Sequence, residues 1–268
     1  MNVIGFPGLG LSFSINRVAF EILGKEVYWY GIIIATGLIL GAAFSVYEGK
    51  RVGLPDDTMM DIALYATPIA IICARIYFVA FNFKDYKGNL PSVFAIWEGG
   101  IAIYGAIIGG VSTAYIYCKI KNIKFSRVFD VGAFGLLIGQ IIGRWGNFVN
   151  VEAYGSETNL PWRMEIMNVE AGRLMSVHPT FLYESLWNLA GFIGLLIYRK
   201  HKKFDGEIFL LYATWYGLGR MWIEQLRVDS LPYSANFKIS QIVAVFSALI
   251  GLTILTYFYN KIKKERNI

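Results

Sequence analysis

Seven apolar runs, most of about 18 to 22 residues and so long enough to cross lipid, follow one another along the chain with short polar connections between them. A helix needs about 20 apolar residues to span a hydrocarbon core of roughly 30 Å. The runs lie at roughly 30–47, 59–80, 101–118, 129–148, 180–198, 208–223 and 239–259. Composition agrees, since 56% of the residues are hydrophobic, only 16% are charged and mean hydropathy is +0.48. A soluble domain carries far more charge. The expectation is an all-α integral membrane protein: a seven-transmembrane helix bundle forming a single domain over residues 1–268. The longest polar connection, 150–177, carries Trp162 and is expected to form a small extracytoplasmic head.

Lysines and arginines fall unevenly on the two sides of these spans. Fourteen lie on one side: Lys50 and Arg51, then Lys119, Lys121, Lys124 and Arg127, then Arg199, Lys200, Lys202 and Lys203, then Lys261, Lys263, Lys264 and Arg266. Eight lie on the other: Arg17, Lys25, Lys84, Lys87, Arg163, Arg173, Arg227 and Lys238. The richer side is expected to be cytoplasmic, which places the N-terminus outside and the C-terminus inside. The net charge of +6 is then a skirt against anionic lipid and calls for no nucleic-acid partner. The first 29 residues lack a basic stretch followed by an apolar core and a small-residue cleavage site, so insertion is expected to use the spans themselves. Cys73 and Cys118 fall inside spans, with no CxxC or Cys/His cluster and no HExxH, so no metal or other cofactor is expected.

The three remaining cations lie within the apolar runs. Arg144 closes an uncharged stretch beginning at Val131, Arg75 lies near the end of 62–81, and Arg220 near the end of 208–223. An arginine at the bilayer centre costs roughly 2.5 to 3.5 kcal/mol on insertion scales, so such a residue is read first as part of a site. With the orientation fixed, Tyr30, Arg75, Tyr104, Arg144, Asn147, His178, Tyr183, Glu184, Tyr216, Arg220 and Glu224 all fall in the outer half of the membrane. Arg144 and Asn147 share one helix face, as do Tyr216, Arg220 and Glu224, with Arg227 extending that stripe. Gly105 with Gly109, and Gly139 with Gly143, have the spacing that lets helices approach closely.

Blander readings exist for single residues. Arg220 with Glu224, or Arg144 with Glu152, also fits a buried ion pair that pins helix register, though register pins need not gather at one depth. Trp29 and Tyr30 fit an aromatic belt, His178 before Pro179 fits a helix entry, and His201 sits in a solvated basic cluster. Ser156 with His178 lacks a nucleophile motif, which disfavours a serine hydrolase. A lipid or anion transporter would show repeats or midplane polar groups, and nothing specific speaks for a membrane receptor.

The run Gly143-Arg144-Trp145-Gly146-Asn147-Phe148-Val149-Asn150-Val151-Glu152-Ala153-Tyr154-Gly155 resembles the signature of the prolipoprotein diacylglyceryl transferases. The resemblance extends through Trp29-Tyr30-Gly31, Ala74-Arg75-Ile76, Trp97-Glu98-Gly99-Gly100, His178-Pro179-Thr180, Leu182-Tyr183-Glu184 and Tyr216-Gly217-Leu218-Gly219-Arg220 with Glu224 and Arg227. It implies a seven-span bacterial plasma-membrane enzyme that moves the diacylglyceryl group of phosphatidylglycerol to the lipobox cysteine of a prolipoprotein signal peptide, releasing glycerol phosphate. Its implied partners are phosphatidylglycerol, membrane lipid and the prolipoprotein. It further implies that Arg144 and Arg220 grip the phosphate, that Asn147 and Asn150 orient headgroup hydroxyls, that Glu152 holds Arg144, and that Tyr30 and Arg75 line the lipid pocket, beside His178, Tyr216 and Glu224.

One departure from the family pattern bears on chemistry. Many members have a histidine after the glycine pair, often proposed as general base, where this chain has Tyr104. A phenol of pKa about 10 accepts a proton poorly at neutral pH. The reading favoured is that Tyr104 only hydrogen-bonds the headgroup, while nearby arginines favour the thiolate. The other reading makes Tyr104 a base through those same arginines, and His178 is a third candidate.

Overall fold

The computed structural model describes residues 2–96, 99–168, 172–228 and 239–266. Trp97, Glu98 and Lys238, which entered the reading of the sequence, lie outside the described residues. The chain is mostly helical, and among the described residues six helices are long and apolar enough to cross a membrane: 29–51, 58–81, 103–120, 125–150, 180–201 and 240–265. The run at 208–223 is also a helix, of 20 residues, but Glu207, Arg220 and Glu224 lower its apolarity. Length and composition thus support six spans, against the seven expected.

In chain order the elements are strands β1 (Asn2–Phe6), β2 (Leu11–Ile15), β3 (Val18–Ile22) and β4 (Lys25–Tyr28), then helices α1 (Trp29–Arg51), α2 (Thr58–Phe81), the single turn α3 (Phe83–Tyr86), α4 (Ile103–Ile120) and α5 (Phe125–Asn150). Strands β5 (Met164–Asn168) and β6 (Arg173–Val177) precede α6 (Thr180–Tyr198), α7 (Glu207–Leu226) and α8 (Ile239–Arg266). The strands amend the all-α expectation. The 150–177 insertion contributes β5 and β6 to an antiparallel sheet of order β2-β1-β5-β6, half of which comes from the N-terminus. Ile4 pairs with Ile166, and Met164 with Val177.

The chain divides into two compact units, 1–41 with 133–268, and 42–132. In the first, the sheet turns Ile4, Phe6, Met164, Ile166 and Val177 onto Phe148 at the end of α5 and Phe181 at the start of α6. Burying these side chains, at about 1.5 to 3 kcal/mol each, seats the sheet on the helix ends. The N-terminal part of α1 lies against α5 along a seam of glycines, where a Cβ on Gly41 would come within 2.6 Å of the Gly135 carbonyl oxygen and one on Gly37 within 3.4 Å of Gly139. The tight approach falls at Gly41 against Gly135, whereas a Cβ on Gly139 would meet nothing closer than 4.0 Å and one on Gly143 only the end of the Ile34 side chain at 3.4 Å. Helices α6 and α7 are joined by Trp187 and Trp215, stacked at 4.3 Å with each indole N–H donating to the other residue's carbonyl at 2.9 Å.

In the second unit α2 packs on α4. A Cβ on Gly105 would come within 2.4 Å of the Cys73 carbonyl oxygen, and one on Gly109 within 2.8 Å of the Cys73 side chain. Leu54, Met59, Ile62, Ala114, Cys118, Val128 and Val131 form its buried cluster.

Candidate functional site

The site grows from the way the chain leaves α5. Val151 and Ala153 both take left-handed backbone conformations, each with φ of +56°, folding the segment back sharply after Asn150. Residues 154–156 are then stitched to the start of α6 and the end of α7. The Gly155 N–H donates to the His178 carbonyl at 3.0 Å, the His178 N–H to Ser156 at 3.1 Å, and the Ser156 N–H to Leu226 at 2.7 Å. The Thr180 hydroxyl donates to the Ala153 carbonyl. Gly155 lies where these segments meet, since a Cβ there would sit 2.6 Å from that of His178 and 3.0 Å from the Leu226 oxygen. Three helix ends are thereby drawn together.

At that meeting point Glu184 of α6, only 5% exposed in its side chain, forms an ion pair with Arg144 of α5 through one carboxylate oxygen and accepts a hydrogen bond from Arg220 of α7 through the other, the latter at 2.5 Å. Arg220 turns a second nitrogen to Glu224, one turn on, at 2.6 Å. The Ser240 hydroxyl, from α8, donates to the other Glu224 oxygen at 2.6 Å. Arg227 stands 3.9 Å from both glutamates. Arg144 also donates to the Asn147 side-chain oxygen at 3.1 Å, and the Asn147 amide nitrogen donates to Glu152 at 2.8 Å. Glu152 therefore reaches Arg144 through Asn147, and the direct partner of Arg144 is Glu184. Charge-assisted contacts of this kind are roughly twice as strong as neutral ones, and guanidinium forks have further N–H groups to offer an anion.

The other expected residues take varied places. Tyr30 lies over Gly146, whose Cβ would come within 2.9 Å of the ring, and stays within electrostatic reach of Arg144 and Glu152. Tyr216 stacks on Tyr212 at 6.0 Å, one turn before Arg220. Asn150 closes α5, its carbonyl taking a hydrogen bond from Arg17 at 2.8 Å. His178 has Nδ1 3.3 Å from the Tyr183 hydroxyl, which also accepts the Trp162 indole N–H at 2.8 Å. Partial burial holds the His178 imidazole below its ordinary pKa.

Arg75 and Tyr104 belong to the second unit. Arg75, 5% exposed, donates to the carbonyls of Ser92, Val93, Gly99 and Gly100 at 2.6 to 2.9 Å, with its guanidinium 5.3 Å from the Tyr86 ring centre. It fixes the segment leading into α4. Gly99 and Gly100 both have positive φ, which suits glycine. Tyr104 is the second residue of α4, 37% exposed, its ring 6.3 Å from Tyr77.

Glu184 is the residue that reading the sequence left without a role. Its signal was present, a carboxylate in an apolar run at the same depth as Arg144 and Arg220, and it stands in the Leu182-Tyr183-Glu184 motif.

Helices of membrane-crossing length around a cluster of paired charged side chains define a multi-pass membrane protein. The family described as prolipoprotein diacylglyceryl transferase matches residues 17–257, and the chain belongs to that family. It is 44% identical to the phosphatidylglycerol--prolipoprotein diacylglyceryl transferase of Clostridioides difficile (strain 630), over 94% of this chain and 98% of the relative. It is 46% identical to the protein of the same name from Lysinibacillus sphaericus (strain C3-41), over 94% and 96%. A third relative of that name, from Oceanobacillus iheyensis, is 45% identical over 91% and 88%.

Proposed function

We propose that this chain transfers the diacylglyceryl group of phosphatidylglycerol to the lipobox cysteine of prolipoproteins, the first step of bacterial lipoprotein maturation. The sulfur attacks the glyceryl carbon, the carbon–oxygen bond to phosphate breaks, and glycerol phosphate leaves with the electron pair. The observation that carries this reading is the convergence of Arg144 and Arg220, from two helices, on Glu184. Guanidiniums held there would bind one phosphate and meet its growing charge as it leaves, which stabilises the transition state more than the bound substrate.

In this reading Asn147, Asn150, Glu152, Tyr216 and Glu224 orient the headgroup and the arginines, and Tyr30 lines the acyl chamber. Arg75 acts by holding the segment before Tyr104. Tyr104 offers a hydroxyl and no base, and the thiol, about pKa 8.5 when free, loses its proton to water in the field of the arginines. His178, whose imidazole partial burial holds below its ordinary pKa, is the alternative acceptor. The seventh span is α7, whose polar stripe faces the site rather than lipid. The sheet and the 150–177 segment form the extracytoplasmic head, with the N-terminus outside and the C-terminus in the cytoplasm.

The test uses pure protein in phosphatidylglycerol vesicles with a lipobox peptide. A thioether-linked diacylglyceryl peptide and free glycerol phosphate are expected in equal amounts. Movement of lipid without either product would favour a transporter instead.

A further inference from the structure

We propose that Gln140 and Tyr212 form a second, uncharged level of the lipid site, which takes an acyl ester carbonyl of the phosphatidylglycerol and so selects ester-linked over ether-linked lipid. This rests on the transferase reading above. The Gln140 amide nitrogen, on α5, donates to the Tyr212 hydroxyl of α7 at 2.8 Å. Gln140 stands four residues before Arg144, on the same face of α5 and one turn, about 5.4 Å, further from the end of that helix. Tyr212 stands two turns before Arg220 on α7, and Tyr216, between them in the chain, stacks on it at 6.0 Å. Helix α6 adds Asn188, 2% exposed and one turn beyond Glu184. The three helices that carry the charged cluster therefore each carry an uncharged polar residue at the next level in.

Polar groups inside a membrane bundle are costly unless each finds a partner. Here the partnering is incomplete, because Gln140 Oε1 is buried without a hydrogen bond. The Tyr212 hydroxyl accepts in its bond to Gln140 and so keeps its own proton to donate. Turning the amide over lets that hydroxyl donate to Oε1 and leaves the amide nitrogen spare instead. With the amide turned, no acceptor is orphaned and one donor remains to be used. An uncharged acceptor suits it. A glycerophospholipid whose phosphate meets Arg144 and Arg220 carries its ester carbonyls a few bonds deeper, beginning at the carbon beside the one that the sulfur attacks. A hydrogen bond there holds the reacting carbon between two fixed points, the phosphate and the ester, which is the orientation a displacement needs.

The experiment compares diester phosphatidylglycerol with its dialkyl ether analogue of the same chain length, each as sole donor to a lipobox peptide in detergent micelles, for wild type, Gln140→Leu and Tyr212→Phe. The ether keeps the chains, the phosphate and the leaving group and lacks only the carbonyls. In wild type kcat/KM is expected to favour the diester about tenfold, the size of effect that leaving a buried donor unmet produces. In the variants that preference should shrink towards parity, because transfer from the diester falls while transfer from the ether changes far less. A shrunken preference in either variant supports the proposal. A purely structural role would lower both lipids alike, so an unchanged ratio in every variant that folds overturns it. A wild type that uses the two lipids equally also overturns it, and if neither variant folds the wild-type ratio alone decides. Should wild type form no thioether from either lipid, the transferase reading fails instead, and the rise in melting temperature that each lipid gives is the measure: a larger rise with the diester supports the carbonyl site, and equal rises overturn it.

Discussion

At the scale of the residue, the two arginines that share a carboxylate divide the work differently from the aromatic at the start of α4. Arg144→Ala or Arg220→Ala leaves Glu184 short of a partner, and losing one member of a buried pair costs about 3 to 5 kcal/mol. Transfer should fall by at least about a thousandfold, read as thioether formation on a lipobox peptide, and Arg220→Lys should recover little because an ammonium has no fork. Tyr104→Phe should keep substantial transfer in the same assay, since its ring position is preserved and only a hydroxyl is lost. Complete loss would make the hydroxyl essential to proton transfer. His178 gives a pH signature. Its folded pKa lies below the unfolded value near 6.5, so the unfolded chain binds the extra proton first, and stability should fall as pH drops from about 6.5 through the folded value. His178→Gln should flatten that part of a pH series of thermal unfolding. The arginines were legible in the sequence because a cation in an apolar run is costly and these gather at one depth, which register pins need not do. Their partner was not, since the choice of Glu184 over Glu152 depends on which helix faces which.

At the scale of the element, glycines decide where segments can touch. Gly155→Val would drive a side chain into His178 and the Leu226 carbonyl, and Gly105→Val one into the Cys73 backbone. Overpacking of this kind costs about 1 to 3 kcal/mol. Gly155→Val should also separate the start of α6 from the end of α7 and so reduce transfer more than stability. Gly105→Val should lower the melting temperature of the purified protein in detergent. The helices themselves were legible, because length and apolarity act locally. Helix α7 sits at the edge of that signal, its Arg220 and Glu224 being at once what weakens its hydropathy and what makes it useful. The sheet was not legible: Ile4 meets Ile166 across more than 160 residues, and no local pattern encodes such a pairing. Short strands of this kind, β1 of five residues among them, carry too few side chains to announce themselves.

At the scale of the whole molecule, the testable matter is which ends face which side. A cysteine-free protein given Lys25→Cys or Lys264→Cys, both exposed positions, should in intact cells react with a membrane-impermeant maleimide at the first and not the second. Equal labelling would reverse or undo the proposed orientation. The charge asymmetry behind this expectation is a property of the full sequence, independent of how the helices pack. Within the first unit, the face-to-face indoles of Trp187 and Trp215 lie at 4.3 Å with an interplanar angle of 16° and are held by reciprocal hydrogen bonds. Chromophores locked so closely give a near-ultraviolet dichroism that vanishes when fixed packing is lost while helix content survives. The protein thus contains its own optical gauge of whether a detergent has preserved the α6–α7 junction, needing neither label nor substrate.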